Sequence, residues 1–241
     1  NLNSGKYFGI GNSLDEYHGE LNFYQDGGII INANGMKGIG IGSGLGGVIN
    51  IKRGHYEFDM KGQEGACIGS VNGDSELFIE YCDMDIYSGI SNGTIIGSVN
   101  GDADIKLENI SAKLQGAGNV ITGIGTIAGN SCMVRLENVN ISSNIRAKEC
   151  YGIGCRAGKT DIYIGYAAVK SVVQGKSAVA FGNSVMSAKL YCSNADVGTN
   201  AVTEFNSDIG ALEKNIQLEN GRAEFILNGQ EVKRQILAAR L

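Results

Sequence analysis

Ile41-Gly42-Ser43-Gly44-Leu45-Gly46-Gly47-Val48-Ile49-Asn50-Ile51 opens on an apolar residue and a glycine, turns through three more glycines and runs out into alternating apolar positions. The opening doublet is a beat that the whole chain keeps. Ile10-Gly11, Ile41-Gly42, Ile68-Gly69, Ile96-Gly97, Ile124-Gly125, Ile153-Gly154, Phe181-Gly182 and Ile209-Gly210 follow one another at 31, 27, 28, 28, 29, 28 and 28 residues. A period this regular across a chain of 241 residues marks a solenoid of stacked units.

Working outward from the beat gives the content of each unit. Nine or ten residues on comes an alternating doublet: Ile49/Ile51, Leu77/Ile79, Ile105/Leu107, Val134/Leu136 and Ile162/Ile164, with Leu190 and Leu218 in later units. A third set follows in Ile110/Ala112/Leu114, Val139/Ile141 and Phe225/Leu227. Period-two alternation in short runs between Gly, Asn, Ser and Asp clusters is the pattern of strands joined by turns. Three strands per unit predict an all-β fold: a single-stranded right-handed parallel β-helix of seven to eight coils of about 28 residues, the handedness following from parallel crossovers. Asn109, Asn138 and Asn220 share one phase and predict an asparagine corner, broken at Tyr81. One domain is expected over residues 1–228, with 1–9 as an N-terminal cap. Val232, Ile236, Leu237 and Leu241 stand at helical spacing, so 229–241 is expected to be a short C-terminal helix that caps the solenoid or serves as an interaction segment.

Composition narrows the function classes. Glycine occurs 37 times and proline not at all, which excludes collagen, and the net charge is −5. No basic run marks a nucleic-acid surface, so no nucleic acid is expected to bind this domain. No apolar stretch is long enough to span a membrane. The chain starts at Asn1 and reads as part of a longer protein. Six cysteines, at 67, 82, 132, 150, 155 and 192, fall at unrelated phases and make no C-x-x-C, so they are expected to be free buried thiols. Unpaired thiols favour a cytoplasmic setting, with the cell surface as the alternative.

The run 41–51, echoed by Ile-Gly-Ser-Val-Asn-Gly-Asp at 68–74 and 96–102, resembles the glycine-rich β-helix repeats of gut Firmicutes proteins and, more broadly, right-handed pectin-lyase-like β-helices. The resemblance covers about residues 10–228. It implies a fold, and it leaves function open among lyases, hydrolases, adhesins and spacers. The catalytic sets of the enzymes are missing: there is no Asp-Asp pair, no Gly-His-Gly and no Arg-Ile-Lys. The lyase-like option is Asp74, Asp102 and Asp104 with Lys106 or Lys159.

Two constellations stand out from the repeat. Asn72-Gly73-Asp74-Ser75-Glu76 and Asn100-Gly101-Asp102-Ala103-Asp104 fall in one phase, which stacks Asp74 on Asp102 and Glu76 on Asp104. Such carboxylates repel unless a cation relieves them, so Asp74, Asp102 and Asp104 form a candidate calcium site, against the plainer reading of exposed turns. The second is an outward column of Phe78, Lys106, Arg135, Tyr163, Lys189 and Gln217, in which Phe78 and Tyr163 are candidates for stacking on sugar rings. Other motifs dissolve into the repeat. Gly42-Ser43-Gly44-Leu45-Gly46-Gly47 fits a dinucleotide loop but precedes no helix, and Gly89-Ile90-Ser91-Asn92-Gly93 lacks a downstream histidine because His18 and His55 lie upstream.

The leading expectation is a non-catalytic binding or scaffold module that presents a flat repeat face to a glycan or protein, with Asp74, Glu76, Asp102, Asp104, Phe78 and Tyr163 as binding candidates, no catalytic residue assigned, and no cofactor other than calcium. The alternatives are a polysaccharide lyase or hydrolase with a divergent acidic site, and a sensory or oligomerisation module of a cytoplasmic regulator.

Overall fold

The beat has a backbone cause. Gly42, Gly69, Gly97, Gly125 and Gly154 all lie at positive φ, between 133° and 149°. Each pairs in register with the next, and a Cβ on any of them would overlap the carbonyl oxygen of the glycine one coil along. Only glycine fits. The preceding residues, Ile41, Ile68, Ile96, Ile124, Ile153 and Phe181, form a fully buried column beside them.

A computed structural model describes residues 2–12, 19–205 and 216–237. In it the chain is a parallel β-solenoid of about 7 turns of ~28 residues. The strands run β1 (Leu2–Gly11), β2 (Glu20–Tyr24), β3 (Gly28–Ser43), β4 (Gly47–Ser70), β5 (Ser75–Ser98), β6 (Ala103–Glu108), β7 (Ser111–Thr126), β8 (Ser131–Glu137), β9 (Asn140–Cys155), β10 (Lys159–Gly165), β11 (Ala168–Gly182), β12 (Ala188–Phe205), β13 (Ile216–Leu227) and β14 (Gln230–Leu237). Several, such as β4 and β5, continue round corners, so one strand contributes to more than one face of its coil. A first face is built from β2, β6, β8, β10 and the opening residues of β4, β5, β12 and β13. A second follows it through β7, β9 and β11. A third leads to the beat.

The corner between the first and second faces repeats one left-handed residue per coil: Arg53, Tyr81, Asn109, Asn138, Tyr166, Asn194 and Asn220, with φ from 47° to 66°. Asparagine tolerates this conformation, and the amide of Asn138 donates to the side-chain oxygen of Asn109 as the corner ladder requires. Arg53, Tyr81 and Tyr166 occupy it at a steric cost.

Inside, apolar columns of successive coils merge into one main core whose largest fully buried members include Tyr56, Phe181 and Phe225. One internal column is polar. The residue after each beat glycine is Ser43, Ser70, Ser98, Thr126, Cys155 or Asn183, all fully buried. Ser70 Oγ donates to the Gly73 carbonyl at 2.6 Å, Ser98 Oγ to the same carbonyl at 2.7 Å and Thr126 Oγ1 to Gly101 O at 2.7 Å. These hydroxyls close the turn that follows the beat, where backbone carbonyls face inward and need donors.

The cysteines are as expected: all six are free and buried. Burial pushes the thiols of Cys67, Cys82 and Cys192 up to about 12 and that of Cys150 up to about 11.

The expected C-terminal helix is corrected over residues 230–237. This segment is a strand, β14, antiparallel to β13. The cause is Asn228-Gly229, which sits at φ 49° and 79° and makes the two-residue turn that favours a hairpin. Val232 and Ile236 satisfy period two as well as they satisfy a helical period, so the spacing did not discriminate. Residues 238–241, including Leu241, lie outside the described residues, as do Ile209, Gly210 and His18.

Candidate functional site

The acidic turns come together as the repeat phase requires. Glu76 is paired with Asp104 across β5 and β6, and Asp74, Glu76, Asp102 and Asp104 line one shallow hollow of about 320 Å³. The carboxylates are engaged with the protein itself. Asp74 Oδ1 accepts the Asp102 backbone N–H at 2.8 Å, and Asp102 Oδ1 accepts the N–H groups of Asn130 at 2.6 Å and Ser131 at 3.0 Å. Each aspartate therefore fastens the turn of the coil above it, which is the physical reason for an Asx residue at that position. Asp104 forms an ion pair with Arg135 at 2.6 Å. In the related phase two coils on, Lys159 holds Asp161 at 2.9 Å. Among the described residues no three His, Cys, Asp or Glu side chains gather as a metal-holding group.

The outward column of the first face reads Asn22, Asn50, Phe78, Lys106, Arg135, Tyr163, Tyr191 and Gln217. This corrects one position of the sequence reading: Lys189 stands beside Asp161, and Tyr191, a full 28 residues after Tyr163, takes the place given to it. Phe78 and Tyr163 are not brought together. They are three coils apart, or roughly 14 Å at the spacing of paired strands, and Phe78 is half-buried.

Tyr163 and Tyr191 do meet. Their ring centroids are 6.4 Å apart with planes tilted by 48°, and they remain 44% and 37% exposed. The Tyr191 hydroxyl donates to Glu219 Oε2 at 2.6 Å; that bond raises the Tyr191 pKa and fixes its ring. Beside the pair the next outward column runs Glu137, Gly165, Ser193, so β10 offers a glycine where its neighbours carry side chains. The missing side chain leaves a groove of about 540 Å³, walled by Lys106, Arg135, Glu108, Glu137, Tyr163 and Tyr191. The Glu137 carboxylate leans over the Gly165 floor. Lys106 is paired with Glu108 at 2.7 Å and Arg135 with Asp104, so the cations of the groove are already neutralised. Their ion pairs orient the polar rim with little net field. Tyr166, one residue beyond Gly165, is 65% exposed in the strained corner position.

Sequence reading found Tyr163 and missed its partner and the floor. The signal was present in the 28-residue interval from Tyr163 to Tyr191 and in Gly165, which stands outside the glycine beat. An arrangement of two rigid exposed rings, a depressed floor and a rim of carboxylates, amines and hydroxyls can stack on the apolar face of a sugar ring and hydrogen-bond its hydroxyls. His55 stands apart on the second face, 3.0 Å from Glu57.

Comparison with protein-family models, curated proteins and solved structures finds no match to this chain.

Proposed function

We propose that this solenoid is a non-catalytic binding module that takes a neutral glycan on its first face. The observation that carries the reading is the Tyr163–Tyr191 pair beside the Gly165 groove. Exposed aromatic rings cost solubility unless something covers them, and a pair on neighbouring coils presents a platform longer than one pyranose ring. The carboxylates around it that no described cation pairs with favour an uncharged ligand: Glu137 and Glu219 accept hydrogen bonds from hydroxyls, and they would repel uronates or sulfates. Kinship with glycine-rich β-helix repeat proteins and pectin-lyase-like solenoids belongs to the same proposal, supported by parallel coils of about 28 residues.

Binding rather than turnover is favoured by how the acidic column is used. Asp74 and Asp102 are occupied by backbone amides and Asp104 by Arg135, which leaves them as fasteners of the fold. The test is retention on an array of immobilised neutral glycans, with product analysis of the retained ligand. Retention that is lost in Tyr163→Ala and Tyr191→Ala, with ligand recovered intact, is expected. Cleaved ligand abolished by Asp102→Asn would replace this reading with the lyase or hydrolase, and an empty array would sink it.

A further inference from the structure

The second face carries a charge arrangement that the first does not explain. On the three adjoining strands β7, β9 and β11 the outward residues include Lys113, Arg146, Lys148, Lys170 and Lys176. The carboxylate there is Glu149, directly after Lys148, and Arg156 takes it up at 2.9 Å. The other outward positions there are mostly amides and hydroxyls such as Gln115, Ser142, Asn144 and Gln174, joined by the small apolar side chains of Ala117, Ala168 and Val172. Lys113 has an anion at 3.6 Å, Asp85 on the neighbouring coil. Arg146, Lys148, Lys170 and Lys176 are exposed, and among the described residues none has an anion within ion-pair distance.

This departs from the rest of the surface. Elsewhere among the described residues cations are paired: Lys52 with Glu80, Lys61 with Asp59, Lys106 with Glu108, Arg135 with Asp104, Arg156 with Glu149. Lys189 on the first face is an exception. Lys148 and Lys176 occupy neighbouring coils, each one residue before the paired Glu149 and Ser177, so two like charges face each other across one strand spacing. Cross-strand repulsion of this kind destabilises a sheet unless an external anion relieves it. It persists in a chain whose net charge is −5. The patch is bounded by acid on both sides, Asp83 and Asp85 on β5, Asp196 and Glu204 on β12, which sets its width at three coils.

We infer that Arg146, Lys148, Lys170 and Lys176 form a second binding site, for a linear anionic polysaccharide bearing sulfate or carboxylate groups. The patch is a parallel sheet in which Lys148 and Lys176 stand one strand spacing apart, about 4.8 Å, while Arg146 and Lys170 lie opposite the uncharged Gln174 and Ser142. It extends roughly 20 Å along them, from Lys170 to Lys176 at the rise of an extended chain. An extended polyanion can meet several of these charges at once, and the neutral amides between them supply donors to sulfate or carboxylate oxygens. No aromatic ring stands among the outward residues of these three strands, so there is no platform for nucleic-acid bases. Nor is there a large apolar side chain to enter a lipid surface. The site is separate from the Tyr163–Tyr191 groove, and its failure would leave that reading untouched.

The experiment is calorimetric titration of the whole chain at low salt with two probes, heparin for sulfate and hyaluronate for carboxylate. Single-stranded oligothymidylate and anionic phospholipid vesicles are run alongside. Binding to at least one polysaccharide is expected, falling steeply as salt rises. It should weaken by about tenfold or more in Lys148→Ala/Lys176→Ala and also in Lys170→Ala, and should be unchanged in Lys189→Ala and Tyr163→Ala. All five substitutions are at exposed side chains, and equal melting temperatures certify folding. The proposal is overturned by no binding to either polysaccharide, by equal affinity in the patch variants, by an equal loss in Lys189→Ala, or by tighter binding to the oligonucleotide or the vesicles.

Discussion

At each corner between the first and second faces a single residue turns left-handed, and its identity can be exchanged to measure the strain. Tyr166 holds φ 47° where Asn109, Asn138 and Asn194 hold the same conformation more comfortably. Tyr166→Asn is therefore expected to raise stability by about 0.5–1 kcal/mol, read from chemical denaturation. Gly97→Ala acts in the opposite direction, because the new methyl would overlap the Gly125 carbonyl at positive φ. It should cost on the order of 3 kcal/mol or more. Asp102 gives a third residue-scale outcome: Asp102→Ala strands the N–H groups of Asn130 and Ser131 and should cost about 1–2 kcal/mol. With those carboxylates committed to amides, melting temperature should be the same in excess chelator and in millimolar calcium. The glycine beat and the asparagine corner were legible in the sequence because glycine and asparagine are selected by backbone conformation alone. Tyr81 was legible as a break in that corner by its phase, but its left-handed backbone and that of Tyr166 were not, since nothing local favours tyrosine there.

Among elements, the turn after the beat depends on its buried polar column, and the heaviest member is Asn183. Its amide donates to Gly158 O at 2.7 Å and Ser187 O at 3.1 Å, while its oxygen accepts the N–H groups of Val185 at 3.1 Å and Met186 at 2.7 Å. Asn183→Ala strands the N–H groups of Val185 and Met186 and takes one donor from each of the two carbonyls, and should cost about 2–3 kcal/mol, with proteolysis appearing first within 183–187. Sequence periodicity located the strands well, because alternation records which side chains point inward. It failed at 230–237, where residues four apart suit strand and helix alike and the deciding signal was the Asn-Gly turn before them. It also slipped by two residues at Lys189, which precedes Leu190 in the sequence, whereas the hydrogen-bonded register gives Tyr191, which follows it. The groove depends on that register, so Tyr163 was visible as an outward aromatic and the Tyr163–Gly165–Tyr191 arrangement was not.

Over the whole molecule, six thiols and the phenols of Tyr7 and Tyr56 are buried in the protonated form, and their pKa values lie above the ordinary ones. A group whose pKa is raised on folding stabilises the folded state fully below its unfolded value and loses that contribution as pH rises towards the folded one. For Cys67, Cys82 and Cys192 the window runs from 9.0 to about 12. Melting temperature should accordingly fall from about pH 9 upward, and a thiol-alkylating reagent at pH 8 should modify the native protein slowly and all six cysteines once it is unfolded. The solenoid supplies rigidity, and the two outer faces use it differently, one with neutralised charges around an aromatic pair and one with bare cations. The aromatic pair on the first face is where we propose that a neutral glycan binds. Isothermal titration of an array-selected neutral oligosaccharide into the intact protein and into Tyr163→Ala/Tyr191→Ala, matched in melting temperature, tests it most directly. Binding heat is expected in the first and lost in the second; equal affinity in both would contradict glycan binding at the pair.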